Sequence, residues 1–111
     1  MDTYKLERTS APNATVYRVA FGDRDGTNVE RVRELAQHIK DEPLNGGGLL
    51  LIDGSQSIPV AYTLGHAVAH LFGAVAVRDP KLEGIFHDPV YIICVTHDPR
   101  WAVGDVVYEE K

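Results

Sequence analysis

Residues Ile52–Lys81 read I-D-G-S-Q-S-I-P-V-A-Y-T-L-G-H-A-V-A-H-L-F-G-A-V-A-V-R-D-P-K. An apolar run, Leu49–Ile52, ends in a Gly/Ser turn. A helix pattern follows, then a second apolar run, Ala74–Val77, that stops at Asp79-Pro80-Lys81. Wholly apolar runs this short mark strands covered on both faces. A strand–helix–strand unit crosses over right-handed and yields parallel neighbours. This stretch therefore predicts an α/β fold.

The helix is expected over Ile58–Phe72, with Ser57 as N-cap, Pro59 in the first turn and Gly73 as the stop. At about 100° per residue, with Ala61 at zero, Leu64, Val68 and Leu71 fall near 300°, 340° and 280°. They form the expected core stripe. Tyr62, His66 and His70 fall near 100°, 140° and 180°, roughly opposite. Both histidines thus avoid the apolar face. Three readings remain open for them: a solvated face, a homo-oligomer contact, or a catalytic or metal site. An i, i+4 pair can bind a divalent ion, but Ala67 replaces the Glu of a zinc-protease H-E-x-x-H motif.

Outward from this unit, the order is β-β-α-β-α-β-β-β. Tyr4–Arg8 and Ala14–Phe21 are strand candidates. Gly22–Asn28 is a turn cluster. Asn28–Asp41 is a helix with Val29, Val32, Leu35, Ala36 and Ile39 at helical spacing, capped by Thr27 or Asn28 with Glu30 in the first turn. Pro43 and Gly46–Gly48 end it as a flexible connection. Tyr91–Thr96 and Val103–Tyr108 complete the strands, with turns at Asp98-Pro99 and Gly104-Asp105. The whole is a small α/β sandwich with a Rossmann-like mixed sheet, two main helices and antiparallel additions at the end.

At 111 residues the chain suits one domain, residues 1–111. The single cysteine, Cys94, lies in an apolar run and is expected as an inert thiol on a buried strand. It cannot form an intrachain disulfide, so a reducing compartment is expected. The first residues, M-D-T-Y-K-L-E-R, show no basic region leading into an apolar stretch, and no run is long enough to span a bilayer. The expected location is cytoplasmic, away from membranes. A net charge of −5 argues against a binder of long duplex DNA, but leaves room for a small anionic ligand.

Gly54-Ser55-Gln56-Ser57 lies between a strand end and a helix start, where backbone N–H groups and the positive helix end face an anion. An ordinary βα turn with an N-cap is the alternative. If the two strands are parallel, Asp79 emerges on the same carboxyl edge as Gly54, where ligands bind open α/β sheets. Asp79 is a candidate metal ligand or proton acceptor, and Lys81 or Arg78 a phosphate partner. His97-Asp98 is expected to reach that edge too. His87-Asp88 reads as a loop, and His38 as a solvated residue.

Gly54-x-x-Ser57-Ile58-Pro59, Leu64-x-His66-x-x-x-His70, Ala74-Val75-Ala76-Val77-x-Asp79-Pro80-Lys81-Leu82, Thr96-His97-Asp98-Pro99 and Gly104-Asp105-Val106 occur in this order. The set resembles the Csx-three family of CRISPR-associated proteins, the small ring nucleases of type III CRISPR systems. The resemblance covers roughly the C-terminal half. It implies a Rossmann-like fold related to the CRISPR-associated sensor domains. It implies a homodimer, two of which sandwich the ligand as a tetramer. The implied ligand is cyclic tetra-adenylate, cleaved in a manganese-dependent reaction that switches the antiviral signal off. Magnesium is the alternative ion. Some members are described as manganese-dependent RNA 3′-exonucleases, so short RNA is a second ligand class.

By motif matching, His66, His70, Asp79 and Lys81 are the catalytic candidates, with Asp79 and His70 as the metal pair. Gly54, Ser55, Gln56, Ser57, Pro59 and His97 are the ligand-binding candidates. Ala69 stands where some relatives have an additional His, Lys81 where some have Arg, and Gly84–Pro89 looks inserted.

Overall fold

The computed structural model of the chain describes residues 5–11, 14–20, 27–41, 46–54, 56–82 and 89–108. The Gly22–Gly26 part of the turn cluster, Pro43, Ser55, the His87-Asp88 pair and most of the inserted-looking segment lie outside these residues. The elements are β1 (Lys5–Ala11), β2 (Ala14–Ala20), α1 (Asn28–Asp41), β3 (Gly47–Gly54), α2 (Ile58–Val68), β4 (Phe72–Arg78), β5 (Val90–Thr96) and β6 (Val106–Tyr108). Their order is the one expected from sequence, in a mixed α/β fold of small Rossmann-like type.

All six strands form one sheet in the order β1-β2-β3-β4-β5-β6. The β2–β3 and β3–β4 pairs are parallel, and the outer pairs are antiparallel. The sheet is therefore wound in one direction, with no reversal of strand order. A doubly wound sheet places its ligand crevice at such a reversal. Here α1 and α2 pack on one face, so no such crevice lies between them among the described residues. Leu35 of α1 and Val60, Leu64 and Val68 of α2 share a buried cluster with Tyr17, Val19, Leu50, Ile52, Phe72 and Val75 of the sheet. The opposite face carries a second cluster, Val16, Leu51, Ala74, Ala76, Tyr91, Ile93 and Val107, with Trp101 packed against it. Leu50, Leu51 and Ile52 are consequently buried in succession, as their unbroken apolar run requires.

The start of α1 is a capping box. Thr27 Oγ1 accepts the Glu30 N–H at 3.2 Å, while Glu30 Oε1 accepts the Thr27 hydroxyl at 3.0 Å and its N–H at 3.4 Å. Thr27→Ala removes the reciprocal pair. A loss of about 1 kcal/mol is expected in a urea titration.

Four departures from the sequence reading bear on the packing. First, α2 stops at Val68 instead of Phe72. Phe72 pairs with Gly47 as the first residue of β4, and its ring meets Tyr17 edge-on at 6.2 Å. Burying that ring against β2 outweighs one more helical turn. Leu71 leaves the core stripe and is 41% exposed, so the stripe is Val60, Leu64 and Val68. Second, Gly47 and Gly48 belong to β3 instead of a flexible connection. A Cβ on Gly46 would overlap the Leu71 carbonyl oxygen, which accepts the Gly47 N–H at 3.1 Å. These glycines allow a close approach of two backbones.

Third, Cys94 is exposed. Val75 pairs with Val95 and Ala76 with Ile93, which leaves Cys94 as the extra residue of a β-bulge. Partial burial of its thiol still pushes its pKa up, which favours the unreactive protonated form. Fourth, β6 begins at Val106, because residues 103–105 form a turn tied to β5 by Gly104 N–H to Ile93 O and Ile93 N–H to Asp105 O.

Candidate functional site

The direction of each strand decides which end of the sheet receives each candidate residue. β3 and β4 both end at the carboxyl edge, at Gly54 and Arg78. Asp79 follows there, its N–H donating to Val90 O at 2.9 Å. Asp79 Oδ1 accepts the Lys81 N–H at 2.9 Å, the self-bonding typical of an Asp-initiated turn. That turn sends Lys81 into solvent. Gly54, Gln56, Ser57, Pro59, Asp79 and Lys81 thus belong to one edge.

The turn before α2 is first of all a cap. Ser57 Oγ accepts the Val60 N–H at 3.4 Å, and Ser57 O accepts the Ala61 N–H at 2.9 Å. Pro59 has no N–H to offer. Ser57 thus serves as the N-cap its sequence position suggested.

The opposite, amino edge receives the imidazoles. α2 runs back from the carboxyl edge and carries His66 in its last turn. His70 lies beyond the helix, in the turn to β4, so the two histidines do not form a helical i, i+4 pair. β5 is antiparallel to β4, so its end brings His97 to the same amino edge, where the His97 N–H donates to Gly73 O at 2.7 Å. His97 is therefore separated from Gly54 and Asp79, contrary to the expectation that it joins them.

His70 and His97 stack, with ring centroids 5.3 Å apart and planes 26° apart. His97 Nε2 lies 3.0 Å from Ala69 O. A carbonyl can only accept, so Nε2 carries the proton and neutral His97 keeps its lone pair on Nδ1. The loop behind it is pinned. Thr96 Oγ1 donates to Asp98 O at 2.9 Å, and Arg100 makes a bidentate pair with Asp98 at 2.7 to 3.2 Å. The hydrogen bond from the Arg100 side chain holds the Asp98 carboxyl below the usual carboxylate range. The pair is therefore intact at neutral pH and is lost only as acid protonates Asp98.

One chain does not bring Asp79 and His70 to a common ion. They flank the seven residues of β4, which span about 20 Å. Nor do two nearly parallel imidazoles aim their in-plane lone pairs at a point between them. Among the described residues there is no group of three or more His, Cys, Asp or Glu side chains able to hold a metal. The manganese pair suggested by motif matching does not fit within a single subunit.

A buried carboxylate escaped the sequence reading. Asp53, only 8% exposed, lies on the face opposite the helices. It accepts from Nη1 of Arg18 on β2 and from Nη1 of Arg78 on β4 at 3.0 and 3.1 Å. Glu7 of β1 holds the register position opposite Arg18. Charges of alternating sign thus step across β2 to β4, from Arg18 to Asp53 to Arg78, a cross-strand arrangement that favours this register. Arg78, expected as a phosphate partner, has an internal carboxylate instead. The available signal was an Asp ending the run Leu49–Ile52.

No helix among the described residues is long and apolar enough to cross a membrane. No protein-family model matches the chain, and no curated protein matches it.

Proposed function

We propose that the chain is a ring nuclease that opens cyclic tetra-adenylate by cleaving a phosphodiester bond, and so ends a type III CRISPR signal. The ordered motif set suggests the substrate. The observation that carries the chemistry is the His70–His97 pair, two solvent-accessible imidazoles stacked on each other with His66 at the end of the neighbouring helix. An imidazole titrates near neutrality and can take a proton from the nucleophile or give one to the leaving oxygen. Lys81 offers a mobile ammonium to a phosphate oxygen, and Asp79 shapes its turn. Because these groups occupy opposite edges, the proposed reaction needs two copies of the chain, in a homodimer or a tetramer around the ring.

Attack by the adjacent ribose 2′-hydroxyl would leave a 2′,3′-cyclic phosphate and a free 5′-hydroxyl. Attack by water would leave a linear chain ending in a phosphomonoester. Incubation with cyclic tetra-adenylate, with and without Mn²⁺ or Mg²⁺, followed by mass analysis, separates these products. An intact ring after prolonged incubation under every ion condition would refute the proposal. The distance between His70 and Asp79 in one chain favours a second reading, a module that binds the ring without cutting it. Tight binding without products would establish that reading. A short linear RNA in the same assay tests the 3′-exonuclease alternative.

A further inference from the structure

β2, β3 and β4 run parallel to the carboxyl edge, and one charged layer crosses all three just below it. Arg18 is in register with Asp53, and the pairing of Ile52 with Val77 sets Arg78 level on the other side. The residues that follow in each strand, Val19, Gly54 and Asp79, form the rim. Gly54 turns at φ +108° against the Val19 backbone, and Asp79 Oδ1 accepts the Lys81 N–H at 2.9 Å. Asp53 is the one buried charged side chain among the described residues. Its carboxylate takes Nη1 of Arg18 on one side, while Nη1 of Arg78 reaches both of its oxygens at 3.0 and 3.1 Å.

Cohesion does not account for this layer. An apolar side chain continuing Leu49–Ile52 would serve the strand as well, since a buried ion pair adds little net stability over well-packed apolar residues. What the ion pair adds is direction, because a guanidinium and a carboxylate hold each other at a fixed distance and angle. We propose that Asp53 is a positioning residue for phosphate recognition. By bridging Arg18 and Arg78 it fixes the Gly54 turn relative to the Asp79–Lys81 turn, and so fixes where the Lys81 ammonium meets a phosphodiester. Asp53 acts through these neighbours without touching the ligand. The phosphodiester rests on the ring-nuclease reading; the coupling of the two turns across β3 and β4 does not.

Asp53→Asn tests the coupling. The amide keeps the shape and one acceptor oxygen, but it turns N–H donors towards guanidinium donors and releases an arginine. The Asp79 and Lys81 amides are both hydrogen-bonded in their turn. Their hydrogen exchange is expected to quicken by roughly 10-fold, with the Glu30 amide of the α1 capping box unchanged. In ring opening, KM for cyclic tetra-adenylate is expected to rise roughly 10-fold, with kcat within roughly 3-fold of wild type. A merely structural role would do the reverse, lowering kcat through a smaller folded fraction and leaving KM alone. In a Lys81→Met background, Asp53→Asn is expected to add nothing further to KM. Arg78→Met leaves Asp53 on Arg18 and replaces a side chain that is 33% exposed, so it keeps the core and is expected to give the same two shifts. Unchanged Asp79 and Lys81 amides in both variants, or a fall in kcat at constant KM, would overturn the proposal. A wild type inert towards the ring, with quickened amides in Asp53→Asn, would remove the ring-nuclease reading and leave the coupling of the turns standing.

Discussion

Gly54→Ala is expected to destabilise the protein by roughly 3–5 kcal/mol, enough to unfold much of it at moderate urea. Gly54 has φ +108°, a region that side-chain-bearing residues rarely adopt. A Cβ there would overlap the Val19 carbonyl oxygen and sit 2.8 and 2.9 Å from the Val19 carbonyl carbon and nitrogen. These are backbone atoms of β2, held in parallel register with Gly54 itself. No rotamer change can relieve the overlap, so either the strand pair separates or the turn into α2 moves. Gly48→Ala is the contrast. It lies on the same strand, and its Cβ would meet nothing within 4 Å. There alanine is expected to add roughly 0.5–1 kcal/mol, through the smaller entropy of the unfolded chain. Urea midpoints measure both. Equal effects at the two positions would refute this account of the turn.

The other large effect concerns cleavage. His70→Ala is expected to reduce ring opening by at least roughly 100-fold, the ordinary contribution of a positioned proton-transfer group, and Asp79→Ala by at least roughly 10-fold, by releasing the turn that holds Lys81. His70→Ala should leave the melt nearly unchanged, since His70 is exposed, whereas Asp79→Ala should cost about 1 kcal/mol through the lost Lys81 N–H bond. The two edges make a sharper test possible. In a dimer whose sites draw His70 from one copy and Asp79 from the other, mixing the two impaired variants creates heterodimers with one intact site. Random assortment then restores about a quarter of wild-type activity. Sites contained within single chains would give no recovery.

The legible parts of this molecule share a cause. The bounds of α1 follow from local periodicity and a capping box within four residues, Thr27 to Glu30. The turn into α2 follows from Ser57 and Pro59, which act on their own first turn. The exposure of Tyr62 and His66 follows from the 3.6-residue period of a helix whose other side is apolar. In each case the deciding partners lie within one or two turns of each other along the chain.

The end of α2 is not of this kind. Phe72 is compatible with either element, and its burial against Tyr17, 55 positions away, makes it a strand residue. Cys94 sits in an apolar run, yet a bulge in its pairing with β4 puts it on the surface. Asp53 carries no local sign of the two arginines that make its burial tolerable, because they come from neighbouring strands.

The candidate site divides along the same line. The residue types, the order of the elements and the parallel pairing that carries Gly54 and Asp79 to one edge were all determined by sequence, through short-range periodicity and the geometry of a strand–helix–strand crossover. Only the tertiary structure decided that His97 joins His70 at the far edge and that Asp79 lies a strand's length away. The physical reason is strand direction. The chain between Arg78 and Val90 returns β5 antiparallel, and a reversal of direction leaves no periodic mark in the strand it delivers.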